Sequence, residues 1–487
     1  MRPLQWFLAI LSGALLVLSF PPFSLWPLAW VALVPLYVAV SRCDGAKAAA
    51  NLGAVTGLVF YVPSLFWFYG IFGVLAAAFW CLFSLWVAIH AALVWRFGRG
   101  RNGAGKPLVR VLAAGILWAG VEYFRSEVWW LRNSWLALGY SQVPNLPILQ
   151  LCSLVGVYGL SALIVSVNAA LSLLPRHRRP AIACLLLALA ASVWGWARAR
   201  THAVDDGKPV RVALIQNESF NADVLAGLSL GRDARKAELV VWPEYAFLIQ
   251  KGQEERYRKL LAGKLSRAKA VAVVGAAMFY DDRNGKERGE NFVWVLSREG
   301  RILGRYDKMH PIQHMETLLT PNRSPRPVMT PVGMLGIQIC YDLDYENGTR
   351  AMVRQGAGLL AVPNLDAIEW GERQHLMHSA MSPVRAVESG LWVARAASSG
   401  VSQLIDPSGR IMAFLPVGIS GVAAGTAYLR HASTTYVSFG WLAGPACLLA
   451  TLVAIVRALV RRKRGPAKGK PGKSRRGRSP RTGARRS

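Results

Sequence analysis

Apolar runs separated by short polar loops fill the first part of the chain: Leu4–Phe20, Leu25–Val40, Asn51–Tyr69, Phe72–Trp95, Leu108–Phe124, Ile148–Leu174 and Ala181–Ala197. One more, Val437–Val460, stands near the other end. A helix needs roughly 17–25 apolar residues to cross about 30 Å of hydrocarbon. The pattern therefore predicts a multi-pass α-helical membrane domain of about eight spans. The first run passes straight into Pro21-Pro22-Phe23-Ser24 with no small-residue cleavage site, so a retained span is expected there, not a signal peptide.

Residues 201–436 follow a different rhythm. Short β-rich runs lie at Val210–Gln216, Leu239–Trp242, Val271–Met278, Phe292–Leu296, Leu335–Cys340, Leu359–Val362 and Leu391–Ala397. Helical patterns lie between them at Glu254–Lys269, Thr349–Gln355 and Arg373–Ser389. This alternation predicts an α/β domain with buried strands and its own core. The expected organisation is a seven-span membrane domain at 1–200, the α/β domain at 201–436, a closing span at 437–460 and a tail at 461–487.

Composition agrees with a membrane protein. Hydrophobic residues make up 53% and charged residues only 17%, against about 25% in an ordinary soluble domain. Intrinsic disorder and a small disulfide scaffold are excluded. The net charge of +30 suggests nucleic acid at first sight, but its placement argues otherwise. From Arg461 to Ser487, 13 of 27 residues are Lys or Arg and none is acidic. That stretch is expected to be a disordered cytoplasmic arm drawn to anionic lipid, and no folded nucleic-acid reader accompanies it. Other cations sit in loops between runs: Arg42 and Lys47; Arg96, Arg99, Arg101 and Lys106; Arg176, Arg178 and Arg179. The positive-inside rule then puts these loops and both termini in the cytoplasm and residues 201–436 on the outer side.

Of six cysteines, Cys340 alone lies in the α/β domain. It closes the apolar run Gly336-Ile337-Gln338-Ile339, and helix-forming sequence resumes at Thr349. A thiol at a strand end facing a helix start is placed as a nucleophile is, although a lone cysteine also serves as a small buried hydrophobe. Its activation needs a base or a cation. Glu244 ends Val240-Val241-Trp242-Pro243-Glu244, and Lys308 ends Gly304-Arg305-Tyr306-Asp307-Lys308, just after the strand Phe292–Leu296 and a turn. Asp342 is placed to cap the turn after Cys340. His310 and His314 are four apart, but Pro311 stands between them and no cysteine is near, so no metal site is expected. Glu122, Arg125 and Glu127 are expected to form an interfacial ion pair at a helix end. Trp26, Trp67, Tyr69, Trp129, Trp130 and Trp441 are expected in a membrane-interface belt, where some could also guide lipid.

The Trp-Pro-Glu, Tyr-x-Lys and Cys-Tyr-Asp segments, in this order, resemble the Glu–Lys–Cys triad of the nitrilase (carbon–nitrogen hydrolase) superfamily. In the membrane half, Phe20-Pro21-Pro22, Leu25-Trp26-Pro27, Glu122-Tyr123-Phe124-Arg125 and Leu138-Gly139-Tyr140-Ser141-Gln142 resemble the apolipoprotein N-acyltransferases, its membrane-anchored branch. The resemblance implies an αββα sandwich joined to the membrane domain. It implies a two-step acyl transfer in the bacterial inner membrane. A phospholipid acylates Cys340 as a thioester, and the α-amine of an N-terminal diacylglyceryl-cysteine on a lipoprotein then takes the chain. Glu244 would be the general base and Lys308 the oxyanion stabiliser. Glu316, Tyr341, Asp342 and Asn364 would be supporting residues. No metal or organic cofactor is implied, and the family works as a monomer.

This chain departs from the family in places. The run after the lysine reads Met309-His310-Pro311-Ile312-Gln313-His314-Met315-Glu316, which keeps the glutamate and loses the usual Phe-Gly. The segment between Lys308 and Cys340, part of the family's lid, is short. The family's tryptophan has no counterpart in Asn217–Val224. Two neighbouring functions share the same triad: a membrane-tethered amidase or nitrilase using water, and a paralogue acylating a different amine. A degenerate scaffold protein and a transporter are the non-enzymatic alternatives; the few charges in the spans disfavour transport.

Overall fold

The computed structural model describes residues 2–98, 106–201, 206–431 and 433–463. The tail expected at 461–487 lies outside the described residues from 464 onward, as do the loop cations at 99 and 101.

Apolar helices occupy Pro3–Ser19, Val34–Ser41, Ala46–Ser64, Ala76–Gly98, Pro107–Tyr123, Cys152–Ser172, Arg178–Thr201 and Ala443–Lys463. Among the described residues, five stretches are long and apolar enough to cross a membrane: Phe68–Gly98, Pro107–Val128, Cys152–Ser172, Arg178–Arg200 and Gly440–Arg457. The run expected as the second span is broken. A 3-10 turn, Trp26–Trp30, precedes the helix Val34–Ser41, with Pro27 and Pro35 in their first turns, where a missing amide leaves no bond unmade. The next helix carries Lys47 and Asn51 near its start, which lowers its apolarity.

The α/β domain has thirteen strands among the described residues: β1 Lys208–Gln216, β2 Leu239–Val241, β3 Phe247–Gln250, β4 Val271–Asp281, β5 Glu287–Leu296, β6 Ile302–Asp307, β7 Val328–Thr330, β8 Gly333–Ile337, β9 Leu359–Asn364, β10 Val393–Ala397, β11 Ser402–Ile405, β12 Ile411–Leu415 and β13 Gly421–Leu429. One sheet has the order β13-β1-β2-β4-β5-β6, with β3 also paired to β4; the other has the order β12-β11-β10-β9-β8-β7. The sheets stack face to face. Val212 and Leu214 of β1 and Val241 of β2 share a core with Ile337 of β8, Leu360 of β9 and Val393 of β10. The alternate residues Ala213, Ile215 and Val240 pack outward on Leu225 and Leu261 of the helices Ala222–Leu230 and Glu254–Leu265. A strand buried on both faces reads as a continuous apolar run, so these strands were legible in the sequence.

Several elements were not foreseen. They are the helix Ala222–Leu230 and the strands β3, β6, β7, β11, β12 and β13. β12 is a short apolar run, Ile411-Met412-Ala413-Phe414-Leu415, whose Ile411, Met412 and Phe414 face outward. The helix expected at Arg373–Ser389 is two, Glu372–Ser379 and Met381–Ser389. The second docks the two domains. Its Ala386 belongs to the sheet core, while Met381, Val384 and Val387 pack with Ile148, Leu149 and Val157 of the membrane domain. At the same junction Gly156 (φ +68°) breaks the helix Cys152–Ser172. The break frees Val157 N–H to donate to Glu388 Oε1 at 2.9 Å.

Candidate active site

Three strand ends converge. β2 runs parallel to β4, and β6 is antiparallel to β5, which is antiparallel to β4. β2 and β6 therefore finish on the same side, and Glu244 and Lys308 follow their carboxyl ends. Cys340 follows β8 from the facing sheet. The crevice beyond the carboxyl ends of strands is where α/β folds bind ligands. The sequence placed Lys308 after a turn from β5; β6 intervenes.

Glu244 is out of water and fully bonded. Its Oε1 accepts from Lys308 Nζ at 2.8 Å and from Asn291 Nδ2 at 2.6 Å, and its Oε2 accepts from Leu365 N–H at 2.8 Å. Its loop lies tight on β4. A Cβ on Gly275 would come 2.2 Å from Pro243 O and 2.8 Å from Glu244 Cα. Lys308 Nζ also lies 2.8 Å from Glu316 Oε2. Glu316 in turn accepts from Tyr245 Oη at 2.8 Å and from Ile312 N–H at 2.7 Å. Asn291 and Tyr245 were not singled out from sequence. The signal for Asn291 was a polar residue at the edge of the apolar run Phe292–Leu296.

Cys340 is buried, with φ +48°, and opens the 3-10 turn Cys340–Asp344. A left-handed conformation at a non-glycine residue is a mark of a functional turn, like the elbow that holds other nucleophiles. Its Sγ lies 3.6 Å from Leu365 O. Asp342 organises the turn as expected of a cap, and does more. It accepts from Ile339 N–H at 3.0 Å, His310 N–H at 2.6 Å and Tyr306 Oη at 2.9 Å. Tyr341 Oη donates to Arg132 O of the membrane domain at 2.9 Å. Asn364 ends β9, and its carbonyl accepts from Glu244 N–H at 3.4 Å and Ser398 N–H at 3.1 Å. The structure thus gathers Glu244, Lys308, Glu316 and Cys340, with the side chains of Tyr341 and Asp342 and the carbonyl of Asn364 holding the loops around them.

Burial sets the proton affinities. It raises the Cys340 thiol well above its ordinary value; Glu244 adds to the rise and Lys308 opposes it. Burial also raises Glu244, against the pull of Lys308. For Lys308, burial pushes downward, but Glu244 and Glu316 together push further upward, so the ammonium stays charged. The resting arrangement is a neutral thiol beside a carboxylate that is a stronger base than usual, with a fixed cation at hand. It suits proton removal during attack and stabilisation of an oxyanion.

The thiol opens on an apolar cavity of about 100 Å³. Phe68, Phe72, Phe79 and Trp135 from the membrane domain line it, with Met315 and Trp370 from the α/β domain. Trp67 belongs to this wall as well, its ring 5.0 Å from that of Trp135, where an interface belt was expected. The expected ion pair of Glu122, Arg125 and Glu127 does not form among the described residues. Glu122 accepts from Trp118 Nε1 and Leu138 N–H, Arg125 donates to Trp135 O, and Glu127 accepts from Tyr158 Oη. The helix unwinds through a π turn, Phe124–Val128, which aims Arg125 inward. His310 and His314 also part company: one bonds Asp342, the other meets the edge of Trp130.

Comparison with known proteins covers nearly the whole chain. Residues 12–170 match the apolipoprotein N-acyltransferase N-terminal domain, and residues 211–430 match the carbon-nitrogen hydrolase family. An amidase from Nesterenkonia sp. is similar in structure at 22% identity and a TM-score of 0.39, covering 48% of this chain and 93% of the amidase. The apolipoprotein N-acyltransferase of Pseudomonas aeruginosa is 31% identical over 93% of this chain and 96% of its own. That of Geobacter metallireducens is 31% identical over 94% and 96%. The chain belongs to the apolipoprotein N-acyltransferase family: it is a membrane-associated acyltransferase built on a carbon-nitrogen hydrolase domain.

Proposed function

We propose that the enzyme takes an acyl chain from a phospholipid onto Cys340 as a thioester and passes it to the α-amine of a diacylglyceryl-cysteine at a lipoprotein N terminus. The observation that carries this reading is a buried Cys340 held between the Glu244–Lys308 pair and an apolar cavity shared by both domains. In the first step Glu244 takes the thiol proton as Sγ attacks the ester carbonyl. The Lys308 ammonium stabilises the oxyanion, and the proton passes to the departing lysophospholipid alcohol. In the second step the amine attacks the thioester, Glu244 takes the amine proton, and the thiol is restored. Glu316 holds Lys308; Tyr341, Asp342 and Asn364 hold the loops.

The same reading assigns residues 1–200 to seven spans, 201–436 to an outer catalytic domain, 437–460 to a closing span and 461–487 to a basic cytoplasmic arm. It places a monomer in the bacterial inner membrane with both termini inside. Eight apolar helices and cationic loops support that topology.

Peptide mass spectrometry of the detergent-purified protein after incubation with phosphatidylethanolamine tests the first step. The expected result is an acyl adduct on Cys340, released by hydroxylamine and absent from Cys340→Ala. Folded protein that forms no adduct with any phospholipid refutes the reading.

A further inference from the structure

A second cavity in the membrane domain lies away from the catalytic cluster. It measures about 400 Å³ and opens where the helices Val34–Ser41, Ala76–Gly98 and Cys152–Ser172 end and Pro107–Tyr123 begins. The opposite ends of the last two helices meet the α/β domain, through Val157 and the turn leading to Trp135. The cavity is thus on the membrane face remote from Cys340.

Its walls are of two kinds. Leu117, Val94 and Phe97 supply apolar surface, and Arg42, Arg110 and Arg176 supply cations. Among the described residues no carboxylate lines it. Among the described residues none of these three arginines has an ion-pair partner within 4.0 Å, and Arg110 is half-buried with its guanidinium laid against Gly98. Helix dipoles attract cations to helix C-termini. They give no reason for an open space of this size between the cations, nor for Arg110, which stands at a helix N-terminus, where the dipole repels it.

Arg42 and Arg176 are exposed and Arg110 is half-buried, so three cations face one open space where an anion can complete them. Arginine's planar fork matches phosphate oxygens, and basic pockets between helices on the cytoplasmic side bind anionic headgroups. The mixed walls match a molecule with a phosphate at one end and hydrocarbon at the other. We propose that this cavity binds the headgroup of an anionic phospholipid, distinct from the acyl donor consumed at Cys340. Arg110 and Arg176 hold the phosphate, and the lipid chains lie along the apolar wall.

Native mass spectrometry of the full-length, delipidated protein tests this by titration with phosphatidylglycerol, phosphatidylethanolamine or inorganic phosphate. The expected result is one saturable equivalent of phosphatidylglycerol, preferred over phosphatidylethanolamine and not displaced by millimolar phosphate. Arg110→Gln and Arg176→Gln should each weaken it about fivefold. Ala113→Leu, which narrows the cavity and keeps both arginines, should weaken it as well. Arg178→Gln, outside the cavity, should leave it unchanged, and the tail is present in every variant. Equal binding of both lipids, indifference to all three cavity substitutions, or displacement by free phosphate would each overturn the proposal.

Discussion

Glu244 and Lys308 meet at 2.8 Å with both side chains out of water, although 64 residues separate them in sequence. Glu316 stands on the other side of the same ammonium, so one cation serves two carboxylates. Such a cluster is balanced only while the cation remains.

Replacing the cation therefore has two separable effects. Lys308→Met leaves two facing carboxylates, one of which must hold a proton. Removing one partner of a buried pair costs about 3–5 kcal/mol. If Lys308 is the oxyanion donor proposed above, its loss should slow acyl transfer about 10²–10³-fold. Adding Glu316→Gln to Lys308→Met relieves the repulsion. Thermal melting should show stability partly restored, while single-turnover acylation of Cys340 stays slow. Recovery of acylation in the double variant would mean that Lys308 acts only in packing.

Gly275 makes a sharper structural prediction. It lies in β4, beneath the loop that carries Glu244, and a Cβ there meets backbone at 2.2 Å. Gly275→Ala should displace Glu244 and reduce acylation by tenfold or more, since small misplacements of a catalytic group have large effects on rate. A control at Gly263, where a Cβ meets nothing within 4 Å, should leave the rate unchanged. Both are checked by single-turnover labelling.

What was legible in the sequence follows from burial. β1, β2, β4 and β9 are apolar on both faces and announced themselves, as did the long apolar helices. Glu244 and Cys340 were legible because each ends such a run. Strand β6 was not, because most of its residues face outward, and so the strand that delivers Lys308 was read as a turn. Cavity partners drawn from separate domains leave no local pattern. Trp67 and Met315 line one cavity only because the membrane helices dock on the α/β domain, and its place at a span end assigned Trp67 to the interface.

His378 gives a pH dependence of stability. Its Nδ1 lies 2.6 Å from Asp366 Oδ1, its Nε2 lies 3.3 Å from Asp344 Oδ1 without hydrogen-bond geometry, and its ring stacks on Trp135. Arg395 donates to the same Asp366. Burial lowers the imidazole's affinity for a proton, but Asp366 and then Asp344 outweigh it, and the value rises from 6.5 to about 9. A raised value means the folded state binds the proton more tightly. The stabilisation is complete below pH 6.5 and is lost as pH climbs through about 9. At 1.36 kcal/mol per unit it amounts to about 3 kcal/mol. Melting of the intact protein should fall between these pH values, and His378→Phe should flatten that fall.

The rate of thioester formation should carry a different signature. In the proposed mechanism Glu244 must be ionised to take the thiol proton, so acylation should rise with pH as that carboxyl deprotonates. Burial first, and then the negative charge of Glu316, hold Glu244 above the ordinary carboxylate value, while Lys308 pulls it down. The midpoint of the acid limb therefore lies above 4.5, the usual glutamate value. Glu316→Gln removes the neighbouring charge that raises Glu244 and leaves Lys308 in place. The acid limb should move to lower pH, even where the maximal rate falls because Lys308 has lost a partner. Single-turnover rates across pH 4–8 with one phospholipid donor separate the two effects. A limb that moves to higher pH, or does not move, would assign the titration to a group other than Glu244.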